Sequence, residues 1–364
     1  MSSDDSRKKH ITAKRVQWID AAKGVAIVLV LIAHSSFWEF STSHENIPII
    51  PFIRKCFMVA IASYMPLFYF LSGYTYKQKP NALKLRFDRL IKPYILWGAL
   101  SILLVWIMAG IGNQCSREYV SPALGLLYSR HSLFSTETAD NVLMLPENAT
   151  PLWFLTSLFT SFICFLPLLR FRRYQSFIII AYLFIALLLS FSPILLPWSM
   201  DTAPLGALFI YSGFVCKEKM FFSGLNRKKL LGAVFLFALY AAAVWYNEGI
   251  NMSIREYGAH PFLSPFLFVF IGISGSIIFC LACMVIEKIH LSSGFAYLGR
   301  LSLTILCCHA IVYHILNTFL PKGTAFCWSM LDHAHTFFII QVFAALLVSI
   351  FIFEIKERLA FNKR

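Results

Sequence analysis

The stretch "WIDAAKGVAIVLVLIAH", residues 18–34, sets three polar side chains in an apolar run: Asp20, Lys23 and His34. Lys23 and His34 stand eleven residues apart. At about 100° per residue this is roughly three helical turns, so both project from one face, roughly 16 Å apart along the axis. Asp20 sits one turn below Lys23 and can pair with it. Histidine, with an ordinary pKa near 6.5, is suited to moving a proton at neutral pH. Lys23 has two readings: a functional group aligned with His34, or a cation near a helix end that snorkels towards a membrane surface.

The elements that must hold these residues follow from composition. The chain has 364 residues, 58% hydrophobic and 14% charged, against about 45–50% and about 25% for soluble domains. Too little polar surface remains to face water, so lipid must cover much of the molecule. Apolar runs long enough to cross a bilayer fall near 19–38, 56–76, 91–111, 151–169, 176–196, 198–216, 230–246, 262–286, 301–320 and 335–355. The sequence therefore predicts an all-α polytopic membrane protein of about ten transmembrane helices. Asp201, Pro204 and Gly206 interrupt the sixth run. A closed barrel would show short alternating segments instead.

Placing both termini in the cytoplasm puts 25 Lys and Arg residues inside and 6 outside, the bias expected of cytoplasmic loops. The +14 net charge then reflects loops facing an anionic leaflet and needs no nucleic acid. The expected organisation is a cytoplasmic tail over 1–18, a membrane domain over 19–355 and a second tail over 356–364. The first apolar run lacks a cleavage site and reads as an uncleaved signal anchor. Cys280 and Cys283 form a C-x-x-C inside an expected membrane helix, where small apolar packing is the expected role; Cys115 and Cys327 fall in outer loops, where a disulfide is permitted. No Walker or dinucleotide pattern is present.

Several stretches together resemble the membrane acyltransferase-3 family, whose bacterial members acylate cell-envelope glycans. "KGVAIVLVLIAH" resembles its first-helix signature of a basic residue, ten residues and His. "FYFLSGY" resembles an aromatic motif ending in Ser72 and Gly73. "RFDRLIKPY" resembles the Arg-x-x-Arg segment, matched by Arg86, Arg89 and Pro93. "PLWFL", with Trp153, is similar to the motif opening the fourth span of members that acetylate sugars. "LGRLSLTILCCH" resembles the late helix of Gly299, Ser302 and His309. The chain departs from the family in having Lys23 where Arg is common, and Leu306-Cys307-Cys308 where Tyr-Leu usually precedes the late His. It resembles the stand-alone branch, similar to fucose O-acetylase-like proteins.

The resemblance implies an O-acyltransferase of the bacterial inner membrane, taking acetyl-CoA as donor substrate with no permanently bound cofactor or metal. The acceptor is a sugar hydroxyl of an envelope polysaccharide or lipid-linked glycan. A hydroxyl nucleophile needs a base, and His34 is the expected one, an acyl-histidine intermediate being the alternative. Asp20 supports Lys23, and the donor's phosphates are expected near Lys23, Arg86, Arg89, Ser72 and Arg300. Arg86 and Arg89 also satisfy the inner-loop charge bias without any donor. Arg170 and Arg173 share that inner face but no motif.

His309 either positions the acyl carbonyl or is a packed histidine bonded to backbone. Trp153, Ser302 and Asp201 are candidates for the glycan side; Asp201 has a second reading as the cap of the broken helix. "DHAH", with Asp332, His333 and His335, has metal-like residue types without a second cluster, and the sequon at Asn148 is followed by Pro151. The rival function is a secondary transporter or exporter of a lipid-linked glycan, which would favour repeated halves with paired broken helices. Neither is visible in the sequence.

Overall fold

The computed structural model describes residues 16–111, 121–135, 145–319 and 334–361. Cys115, Cys327, Asp332, His333 and the first 15 residues lie outside this set. The described chain is helical, with isolated bridges in place of strands. Its helices are α1 (Gln17–His34), α2 (Phe37–Ser43), α3 (Ile49–Ile61), α4 (Tyr64–Tyr74), α5 (Ala82–Ile111), α6 (Ser121–Tyr128), α7 (Trp153–Arg170), α8 (Gln175–Ser190), α9 (Ala203–Glu218), α10 (Arg227–Asn247), α11 (Ser264–Lys288), α12 (Ser293–Phe319) and α13 (Ala334–Phe361).

Nine segments among the described residues are long and apolar enough to cross a membrane, against ten expected. The difference is α9. At 16 residues it is about 24 Å long, short of a hydrocarbon core of roughly 30 Å. Pro204 occupies its first turn, where a missing N–H costs nothing. The chain reaches it through a 3-10 turn, Pro197–Ser199, with left-handed Trp198 and Ser199.

Two other expected spans are interrupted. The first helix stops at His34 rather than continuing to 38, because Ser35 turns extended. The second breaks at Ala62 and Ser63, between α3 and α4. Pro66 lies four residues after Ala62, and its ring would clash with that carbonyl in an unbroken helix. Ser63 Oγ meets Tyr240 Oη of α10 at 3.1 Å.

Burial separates the layers. In α7, 72% of the membrane window is buried, whereas in α8 the figure is 6%. Thus α7 lies inside the bundle and α8 presents Phe177, Ile180 and Phe184 to lipid. The inner helices touch through glycine. A Cβ at Gly24 would lie 1.9 Å from the Phe295 carbonyl oxygen, and one at Gly299 1.7 Å from that of Asp20. The same contact joins α4 to α9 at Gly73 and Gly213. Such close backbone approach is the general way small residues pack membrane helices.

Gly24→Ala and Gly299→Ala are each expected to lower the thermal midpoint of the detergent-solubilised protein, by an overpacking penalty of about 1–3 kcal/mol. Gly232→Ala on α10, where a Cβ meets nothing within 4 Å, should not lower it. Equal midpoints for all three would show that the crossing tolerates separation.

Candidate active site

The α1–α12 crossing sets the site. Above the glycine pair, the two helices carry His34 and His309 with ring centroids 5.3 Å apart and planes at 74°. His34 Nδ1 lies 2.9 Å from the Val30 carbonyl, one turn back in its own helix. His309 Nδ1 lies 2.9 Å from the Ile305 carbonyl and 3.1 Å from that of Leu306. A carbonyl can only accept, so each Nδ1 carries the proton and each Nε2 keeps a lone pair. His309 is fully buried, and its Nε2 has no hydrogen-bond partner. His34 is exposed, at the C-terminal end of α1. Tyr313 Oη donates to the Leu31 carbonyl at 3.0 Å and ties the two helices together.

Below this pair lies a cavity of about 430 Å³ lined by α1, α4, α5, α7 and α12. Lys23, Ser72, Arg86, Arg89 and Ser302 all face it. Lys23 Nζ is 3.8 Å from Asp20 Oδ1. Arg86 is the most constrained cation: it donates to Ser72 Oγ, reaches the Ser72 carbonyl at 3.3 Å, and lies over the Phe162 ring at 4.2 Å. Arg89, one turn on, is exposed at the mouth. Tyr76, Lys77 and Lys79 add to the same wall. The lining ends at Ile27 on α1 and Leu306 on α12, about 10 Å and about 4.5 Å along those helices from His34 and His309.

Three expected site residues lie elsewhere. Arg300 is exposed beside Tyr297, at 5.3 Å from its ring. Trp153 is 6% exposed and packs in the core, while its neighbours Phe154 and Leu155 line the cavity. Asp201 is fully buried between two arginines. Asn148 is also buried, its amide donating to the Ser101 carbonyl at 3.1 Å, which leaves no room for a sugar. Cys280 and Cys283 are buried free thiols on α11. Among the described residues, no three His, Cys, Asp or Glu side chains gather as a metal site.

The Asp201 cluster was not foreseen. Arg130 donates to Asp201 Oδ1, to the Ser253 carbonyl and, at 3.2 Å, to that of Leu196. Arg255 donates to Asp201 Oδ2 at 2.9 Å, to the Ile194 carbonyl at 2.8 Å and to that of Ser192. Burial holds the Arg130 guanidinium below its ordinary pKa, with the Asp201 charge opposing. A fully buried carboxylate demands a cation, but nothing in the sequence names which. This cluster staples three connecting segments over the ends of α6, α9 and α10.

A base with a free lone pair above a cationic cavity suits transfer of a group carried on an anionic donor. No curated protein and no solved structure matches the chain. The family model for the acyltransferase domain of the acyltransferase-3 family matches residues 16–354. That is nearly the whole chain and contains both histidines and every cation of the cavity, so this protein belongs to the acyltransferase-3 family and is a membrane acyltransferase.

Proposed function

We propose that the protein moves an acetyl group from acetyl-CoA to a sugar hydroxyl of an envelope polysaccharide or lipid-linked glycan. The observation that carries this reading is a cation-lined cavity beneath a histidine pair on α1 and α12, two of the five helices that line it. Lys23, Arg86 and Arg89 hold donor phosphates through charge-assisted bonds. His34 Nε2 takes the hydroxyl proton as the sugar oxygen attacks the thioester carbonyl. The C–O bond forms, the C–S bond breaks, and the imidazolium returns its proton to the departing thiolate. His309, sealed behind His34, packs edge-on against its ring and backs it.

In this reading α9, entered through the Pro197–Ser199 turn, makes the tenth crossing, so the membrane domain spans 19–355 with tails 1–18 and 356–364 both cytoplasmic, in a bacterial inner membrane. The cavity cations then face the compartment where acyl-CoA is made. Exposed His34 lies nearer the opposite face.

The test is transfer of labelled acetyl from acetyl-CoA to glycan by membranes containing the protein. Lys23→Arg should keep much of the activity, since charge is retained, and Lys23→Leu should lose it. No label on any glycan would remove the acceptor class. Equal activity of the two variants would make Lys23 a membrane anchor.

A further inference from the structure

A second cavity, of about 480 Å³, opens on the inner side next to the first. The two share Tyr76 and Lys77 in their walls. Four cations line the second: Lys77, Arg170, Arg172 and Lys217. Lys77, Arg170 and Arg172 are exposed, whereas Lys217 is half-buried and donates to the Tyr76 carbonyl at the shared wall. Its floor is apolar, made by Leu166, Leu169 and Phe214. One carboxylate, Glu218, also lines it and is exposed.

Charge bias alone places cations on an inner face. It does not gather them around an apolar floor, contiguous with another cationic cavity. A ligand filling both would carry two separated anionic groups, with a flat apolar body at the second. We infer that this second cavity binds the 3′-phosphoadenosine end of coenzyme A, while the first holds the diphosphate and pantetheine. The inference rests on the donor proposed above and adds residues outside the family's Arg-x-x-Arg segment.

A 3′-phosphomonoester carries about −1.5 to −2 charges at neutral pH, which the four cations neutralise even with Glu218 opposing them. Arg170 and Arg172 meet the phosphate, Lys77 bridges the two phosphate sites, and the floor takes the purine. Glu218 is an acceptor for the base's exocyclic amine. A phosphate with an apolar body also describes an anionic lipid headgroup, and the experiment separates the two.

Affinities of CoA and dephospho-CoA, which lacks only the 3′-phosphate, are measured by calorimetry on the full-length detergent-solubilised protein. Wild type should bind CoA roughly 10-fold or more tightly than dephospho-CoA, the loss expected for one charge-assisted contact. Arg170→Gln and Arg172→Gln should weaken CoA towards the dephospho-CoA value and leave dephospho-CoA affinity unchanged, which also shows that the variants are folded. Arg173→Gln, on the same face but outside the lining, should change neither.

Equal wild-type affinity for the two ligands would overturn the inference while leaving the donor reading intact. Equal weakening of both ligands by the variants would overturn it too. Binding of neither ligand by wild type would overturn the donor reading itself. Loss of the CoA preference in nanodiscs of phosphatidylglycerol, but not of phosphatidylcholine, would assign the cavity to lipid headgroups instead.

Discussion

His34→Ala is expected to cut acyl transfer by about 10²–10⁴-fold, the contribution of a positioned general base, while the protein inserts and folds normally. The expectation rests on where the imidazole is anchored. Its hydrogen bond runs to Val30 in its own helix, so deleting the ring breaks no bond between helices. The tie between α1 and α12 is made by Tyr313 and by the glycine crossing, both of which remain. His34 is also exposed, so its loss leaves no sealed void. The measurement pairs the initial rate of glycan acetylation with the thermal midpoint of the same preparation. Near wild-type turnover would strip His34 of its role. A collapsed midpoint would make it a structural residue.

Asp201→Asn is expected to cost stability rather than chemistry. The carboxylate is fully buried, and Arg130 and Arg255 beside it are equally sealed. Neutralising it leaves two guanidinium charges together without a counter-ion, and breaking a buried pair this way costs about 3–5 kcal/mol. The thermal midpoint should fall markedly. Replacing all three residues with apolar side chains of similar volume should cost less than the single change, since no uncompensated charge remains. If Asp201→Asn instead kept its midpoint and lost acceptor affinity, Asp201 would belong to a glycan site.

The two variants mark what sequence can and cannot reveal. The long helices were legible because apolar runs of this length have one structural outcome in lipid. Lys23, Ser72, Arg86, Arg89 and Ser302 could be picked out because each sits in a short motif, and the structure brings all five to one cavity. The break at Ser63 was not legible: hydropathy runs unbroken from Ile49 to Tyr74, with only Pro66 as a hint. The partners of Asp201 were hidden for another reason. Arg130 and Arg255 lie 71 and 54 positions from it, and a count of cations per loop treats both as topology markers. Arg170 and Arg173 could not be told apart in the sequence, since neither sits in a motif, although only Arg170 of the two lines a cavity.

The glycine crossings also govern how the molecule can move. At Gly24–Gly299 and at Gly73–Gly213, backbone rests directly on backbone, so no layer of side chains exists to slide or re-pack. Each pair, α1 with α12 and α4 with α9, behaves as one stiff body. The cavity lies on the seam between these bodies, with Lys23 and Ser302 on one side and Phe68 and Ser72 on the other. Any widening that admits a bulky donor must therefore come from that seam or from α5 and α7, which form the remaining walls. Because Lys23, His34, Ser302 and His309 all ride on one body, such widening leaves the register between the base and the cation unchanged through the cycle.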